Sequence, residues 1–161
     1  MNALTSTLSV IERAMRALAA CCLACMALIT VIDVTGRAFG HPLFGSEEIT
    51  AFLAALAVAM SLPYAHSQRS HIAVELFYVR LGRTARTAAS LLTGTLSLAA
   101  FGVLSWRMAR FALTTRESGE VSMNLGLPEW MVMGAVALGC AVFTLMILRD
   151  ILRLVTGVEQ A

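Results

Sequence analysis

From Ile49 to His66 the chain runs for about eighteen residues without an Asp, Glu or Arg, between the acids Glu47 and Glu48 and the polar run Ser67-Gln68-Arg69-Ser70. A helix rises about 1.5 Å per residue, so roughly 20 residues cross the ~30 Å hydrocarbon core of a bilayer. Glu47 to Gln68 has that length. The acids fall where the positive end of the helix dipole favours negative charge, and Ser46 is placed to cap the helix. Arg80, Arg83 and Arg86 gather beyond the other end. The stretch therefore reads as a membrane span with a marked outside and a marked inside.

Composition extends that reading to the whole chain. Of 161 residues, 58% are hydrophobic and 14% charged, where soluble domains carry about a quarter charged. The length suits one compact unit, a single domain over 1–161. A net charge of +2 says little about nucleic acid, and all twelve basic residues are arginine. Cys21, Cys22, Cys25 and Cys140 lie in apolar stretches with no histidine or acid at ligand spacing. They read as packing or lipid-facing residues and not as a metal or disulfide site. Arg13 and Arg16 precede an apolar run from Ala17 to Ile32, as in a signal peptide. Asp33-Val34-Thr35-Gly36-Arg37 follows instead of a small-x-small cleavage site, so an uncleaved first span is expected.

The fold class expected is an all-α integral membrane protein. Its four transmembrane helices fall at about 14–39, 47–68, 87–110 and 128–149. Ile72, Leu76 and Val79 form an apolar stripe too short to span, which predicts an interfacial helix over about 72–82. Asp33 and Arg37 stand four apart near the end of the first span and can pair on one helical face. That pair reads first as an interfacial salt bridge anchoring the helix end, and second as a direct participant in moving a substrate. Gly40 to Gly45 is a turn. Ala51, Ala55 and Ala59, and beside them Ala57, Ser61 and Ala65, repeat every four residues, as close helix packing in lipid favours. Pro63 is expected to kink or end the second span. Gly94 and Gly102 are candidate packing points in the third, with Arg107 and Arg110 sharing a face just beyond its uncharged run. Pro128 suits the first turn of the fourth span, and Trp130 suits the water–lipid interface.

Arginine counts favour a cytoplasmic location for both termini and for the loop after the second span. Catalytic constellations are missing from the sequence: it has no Gly-rich phosphate loop, no nucleophile elbow and no histidine pair at metal-ligand spacing. No cofactor is expected.

The order of the short motifs is more telling than any one of them. Thr30-Val31-Ile32-Asp33-Val34-Thr35-Gly36-Arg37 ends the first span, and a Gly-His-Pro turn follows. Glu47-Glu48 open the second, His71-Ile72-x-Val74 comes after it, and Leu125-Gly126-Leu127-Pro128-x-Trp130 opens the fourth. In this the chain resembles the small membrane subunit of TRAP (tripartite ATP-independent periplasmic) transporters, the DctQ-like family, over roughly residues 14–155. The resemblance implies a bacterial inner-membrane protein partnered with a large DctM-like permease subunit and a periplasmic DctP-like solute-binding protein. It also implies ion-gradient-driven uptake of organic acids such as dicarboxylates, with transport carried by the large subunit and the small one a fixed scaffold. Asp33, Arg37, Glu48 and His71 are the matching positions, and with Trp130 they are the candidate structural or subunit-contact residues. Ser61 stands where many relatives have glycine, and Glu75 where aspartate is usual.

The residues by themselves agree with a scaffold. The spans carry almost no ionisable group at mid-membrane depth and no paired broken helices of the kind that build a transport site. Two other readings stand beside it. One is a membrane anchor for a redox enzyme, with His66 or His71 holding haem. The other is a stand-alone small exporter working as an oligomer.

Overall fold

The computed structural model describes residues 2–67 and 83–156. Within them the chain forms four helices: α1 (Asn2–Ala38), α2 (Ser46–Ser67), α3 (Arg83–Ser118) and α4 (Glu129–Thr156). Each contains a stretch long and apolar enough to cross a membrane: Leu8–Ala38, Ser46–Ser67, Ala88–Ser118 and Glu129–Leu154. The interfacial segment expected over 72–82 and the candidate residue His71 lie outside the described residues.

Three helices outrun the expected spans because nothing in the sequence stops them earlier. Residues 2–13 contain neither glycine nor proline, so α1 begins well before residue 14. Residues 111–118 likewise contain neither, so α3 passes residue 110 and stops only before Gly119, a residue at φ 70°. α4 continues through Arg149 and Arg153 to Thr156. α1 ends in a Schellman closure: Gly40, at φ 77°, donates its N–H to the Arg37 carbonyl at 3.1 Å, and His41 donates to the Gly36 carbonyl at 2.8 Å.

The helices form a row, not a closed bundle. α1 packs on α2, α2 on α4, and α4 on α3, while α1 and α3 have no substantial contact with each other. The order across the layer is therefore α1–α2–α4–α3. Burial follows that order: none of the apolar window of α3 is buried, against 33% of that of α4. A layer one helix thick leaves two broad faces open, and these are apolar, with Leu28, Val31, Val58, Leu96, Val103 and Leu138 all more than half exposed.

The central α2–α4 contact has a local cause. Pro63 is almost fully buried within α2. It supplies no N–H to the carbonyl four residues back, that of Ala59. Gly139 of α4 sits against this freed carbonyl, so closely that a Cβ there would lie 2.7 Å from the oxygen and 3.0 Å from its carbon. Pro63 thus neither ends α2 nor leaves it idle; it opens the point where α4 approaches. The small-residue stripes expected on α2 contribute only in part. Ala57 and Ala59 are buried, whereas Ala51, Ala55 and Ala65 are exposed, because packing centres on the Pro63 turn.

α3 runs antiparallel to α4. The Ser105 hydroxyl donates to the Ala137 carbonyl at 3.1 Å. Phe101 meets Phe143 edge to face with centroids 4.5 Å apart, and Gly94 and Gly102 face Ile151 and Thr144. On the other side of the row, Met15 and Ala19 of α1 pack around Met60. The buried Cys22 and Cys140 are small apolar fillers in these seams.

Candidate functional site

Two carboxylates organise one end of the row. Asp33, on the last turns of α1, is 8% exposed. Its Oδ2 accepts from Arg37 Nε at 2.9 Å, one turn further along the same helix. Its Oδ1 accepts the backbone N–H of Leu43, also at 2.9 Å, and the Ser46 side chain adds a third hydrogen bond. A single acid thus closes the α1–α2 turn on itself. Arg37 extends the network to Glu47 with a longer, exposed contact of 3.3 Å, weak by the standards of surface pairs. Ser46 begins α2, but its buried side chain serves Asp33; its own amide donates to the Leu43 carbonyl at 3.4 Å, and the Ile49 amide donates to the Gly45 carbonyl at 3.2 Å.

Gly36 has a steric role in the same turn. A side chain there would overlap the His41 carbonyl oxygen, which is backbone and has no rotamer to yield. The Gly36-Arg37 pair is thereby accounted for: glycine for the close return of the chain, arginine for the aspartate one turn back.

Glu48 makes the second tie. Its Oε1 accepts the N–H of Asn124 at 2.7 Å and its Oε2 that of Leu125 at 3.1 Å, so successive amides of the α3–α4 loop cradle one carboxylate. Ser122 also bonds to Glu48 through its side chain. The loop is closed on itself: the Ser122 amide donates to the Leu127 carbonyl at 2.9 Å, and the Leu127 amide donates to the Ser122 hydroxyl at 3.0 Å. The Leu125 side chain covers Gly45, joining the two loops directly. Acids that helix-dipole reasoning placed at the α2 N-terminus therefore divide their work: Glu47 stays exposed beside Arg37, and Glu48 reaches another loop.

Trp130 stands apart from this network, on the first turn of α4. The Arg116 guanidinium lies over its ring, 5.1 Å from the centroid. Together they close one end of a groove of about 300 Å³ between α3 and α4, lined further by Ala109, Ala112, Leu113, Gly134 and Ala137.

The far end of the row carries ties that sequence reasoning missed. His66 Nε2 lies 3.1 Å from Asp150 Oδ2, linking α2 to α4, and the His66 ring stands edge-on to Phe143. The Ser67 hydroxyl donates to Glu12, and Arg16 stacks over Tyr64 at 4.9 Å, linking α2 to α1. A signal existed for the His66–Asp150 pair: each is a polar residue in an apolar helix, near the same end of its span. Only their partnership needed the fold. α2 is thus held to its neighbours at both ends, and of the candidate residues the structure joins Asp33 with Arg37 and gives Glu48 and Trp130 separate partners.

Chemically, the outer network can fix loop shape and present it. Among the described residues there is no group of three His, Cys, Asp or Glu side chains able to hold a metal. The geometry is one of anchoring.

No curated protein sequence matches the chain. A family model described as "Tripartite ATP-independent periplasmic transporters, DctQ component" matches residues 26–157. The matched region begins within α1, ahead of Asp33, and runs through all the remaining helices. This four-span membrane chain therefore belongs to the DctQ family, the small membrane component of tripartite ATP-independent periplasmic transporters.

Proposed function

We propose that this subunit is the fixed membrane scaffold of its transporter, bracing a large DctM-like permease subunit that moves an organic acid such as a dicarboxylate along an ion gradient. The observation that carries this reading is the single layer α1–α2–α4–α3. A row of helices with two apolar faces has no interior in which to enclose a substrate, and large exposed apolar faces mark interaction surfaces. Lipid suits one face and a larger membrane protein the other. The polar ties at both ends of α2 keep the layer in one shape, as a brace requires.

The arginine distribution orients the subunit in the bacterial inner membrane with both termini cytoplasmic. The Asp33–Glu48 end then faces the periplasm. There the two tied loops form a preorganised surface, with His41, Glu47 and Glu120 exposed on it, for a DctP-like solute-binding protein. In this reading Asp33, Arg37 and Glu48 shape that surface and Trp130 anchors α4 at the lipid boundary. The haem-anchor alternative gains no support: His66 is engaged by Asp150.

The test is affinity purification of the tagged chain from its native membrane in mild detergent, followed by mass spectrometry. Recovery of a much larger multi-span permease at near-equal stoichiometry is expected. Recovery of a soluble redox enzyme, or of the chain alone as a defined homo-oligomer, overturns the proposal.

A further inference from the structure

The register of the helices gives a depth to two arginines on the free edge of the row. Glu48 and His66 are eighteen residues apart on α2, about 27 Å along a helix, close to the thickness of a hydrocarbon core. The Asp33–Glu48 network lies at one of these levels and the His66–Asp150 pair at the other. Gly139 lies against Ala59, and Ser105 bonds to Ala137. Ser105 is therefore level with the middle of α2, roughly 13 Å inward of Glu48 at 1.5 Å per residue. By the same measure Arg107 lies about 10 Å, and Arg110 about 6 Å, inward of the Glu48 level. Both arginines thus fall inside the span expected over about 87–110, beyond its uncharged run but short of the Glu48 level, and the neighbours against which α3 packs give their depth.

Both side chains are exposed. Among the described residues neither guanidinium has a hydrogen bond, ion pair or ring contact, in contrast to Arg37, which pairs with Asp33, and Arg116, which lies over Trp130. With Trp106, Phe111 and Thr114 they line an open depression of about 440 Å³ on α3. An arginine held at that depth in lipid is costly, and such residues usually pair with an opposite charge. Snorkelling offers a partial escape, since the stem of an arginine spans only some 6 Å. That reach brings Arg110 to the headgroups and leaves Arg107 short of them. A carboxylate fixed at the same depth, on a protein, satisfies both.

We infer that the free edge of α3 at Arg107 and Arg110 is the docking site for a transmembrane segment of the permease subunit, which presents an acidic side chain to these two arginines within the membrane. This rests on the scaffold reading above, since it presumes a large membrane partner. Trp106 and Phe111, exposed on either side of the charges, supply the apolar surround that excludes water and strengthens the pair.

The test uses the full chain co-expressed with its transporter partners, with a photoreactive phenylalanine analogue at position 111. Illumination is expected to join the chain to the permease. The double variant R107L/R110L is expected to lower both this cross-link and permease co-purification at least tenfold. The variant chain by itself should insert and melt no lower than wild type, because removing two charges from a lipid-exposed face removes a cost. Unchanged cross-linking and co-purification in the double variant overturns the inference. So does a cross-link to lipid alone, or loss of a bound anionic lipid by native mass spectrometry with the complex intact. A wild-type chain that recovers no permease under any condition rejects the scaffold reading itself. Recovery of permease with no cross-link at position 111 rejects only this docking face.

Discussion

Gly139→Ala is the sharpest probe of the fold. It adds one methyl group at the α2–α4 contact, 2.7 Å from the Ala59 carbonyl oxygen and 3.2 Å from the Ala59 Cβ. The oxygen is backbone and no rotamer change relieves the clash, so the two helices must part by roughly 0.7 Å to reach ordinary contact, a gap that forfeits a quarter to a half of each local dispersion well. Overpacking of this kind costs about 1–3 kcal/mol. Alanine is also the better helix former by up to ~1 kcal/mol, which blurs the raw effect. Gly134→Ala removes that ambiguity: it lies on the same helix, and a Cβ there meets nothing within 4 Å. The difference between the two variants isolates the packing cost, about 2 kcal/mol, or about 6 °C in melting temperature for a chain of this size. Thermal unfolding of both proteins in the same detergent, followed by tryptophan fluorescence, reads it. If Gly139→Ala melts at or above Gly134→Ala, then α4 does not approach α2 at the Pro63-freed carbonyl, and the row must be built another way.

Three further outcomes follow from the ties at the ends of α2. Glu48→Ala leaves the Asn124 and Leu125 amides without their acceptor, so limited proteolysis should cut the α3–α4 loop several-fold faster and uptake by the assembled transporter should fall; Glu48→Gln, keeping one carbonyl acceptor, should lie between. Wild-type proteolysis and uptake in Glu48→Ala would remove Glu48 from the account of the loop. Gly36→Ala forces the α1–α2 turn open, and its yield of folded, monodisperse protein should drop well below that of Gly119→Ala, where a Cβ meets open space but the backbone is strained. Equal yields would count against the close return to His41. His66→Ala and Asp150→Asn should show a coupling of about 0.5–1 kcal/mol in a double-mutant cycle of thermal stability, as for a half-exposed pair. Strict additivity would mean that the contact contributes nothing.

What could be read directly from the residues was governed by local chemistry. Uncharged runs of about twenty residues, bounded by acids, arginines, Gly40 and Pro128, are enough to specify four spanning helices, because helix length and hydrocarbon thickness are set by backbone geometry and not by partners. The Asp33–Arg37 pair was legible for the same reason: it is a contact four residues apart on one helix. The ordered motifs that mark the DctQ family are equally local. The tertiary structure decided everything that depends on which helix lies beside which. Glu48 looked like a helix-dipole acid until the α3–α4 loop arrived against it, and Pro63 looked like a kink or a terminator until Gly139 filled the place it opens. His66 met Asp150, 84 residues away, and the level of Arg107 and Arg110 along the row followed only from the contacts of α3 with α4. In lipid, apolarity drives a helix into the membrane but supplies no preference among neighbours, since tails and side chains are alike in polarity. Neighbours are chosen by close approach and by a few polar contacts, and those exist only once the chain has folded back on itself.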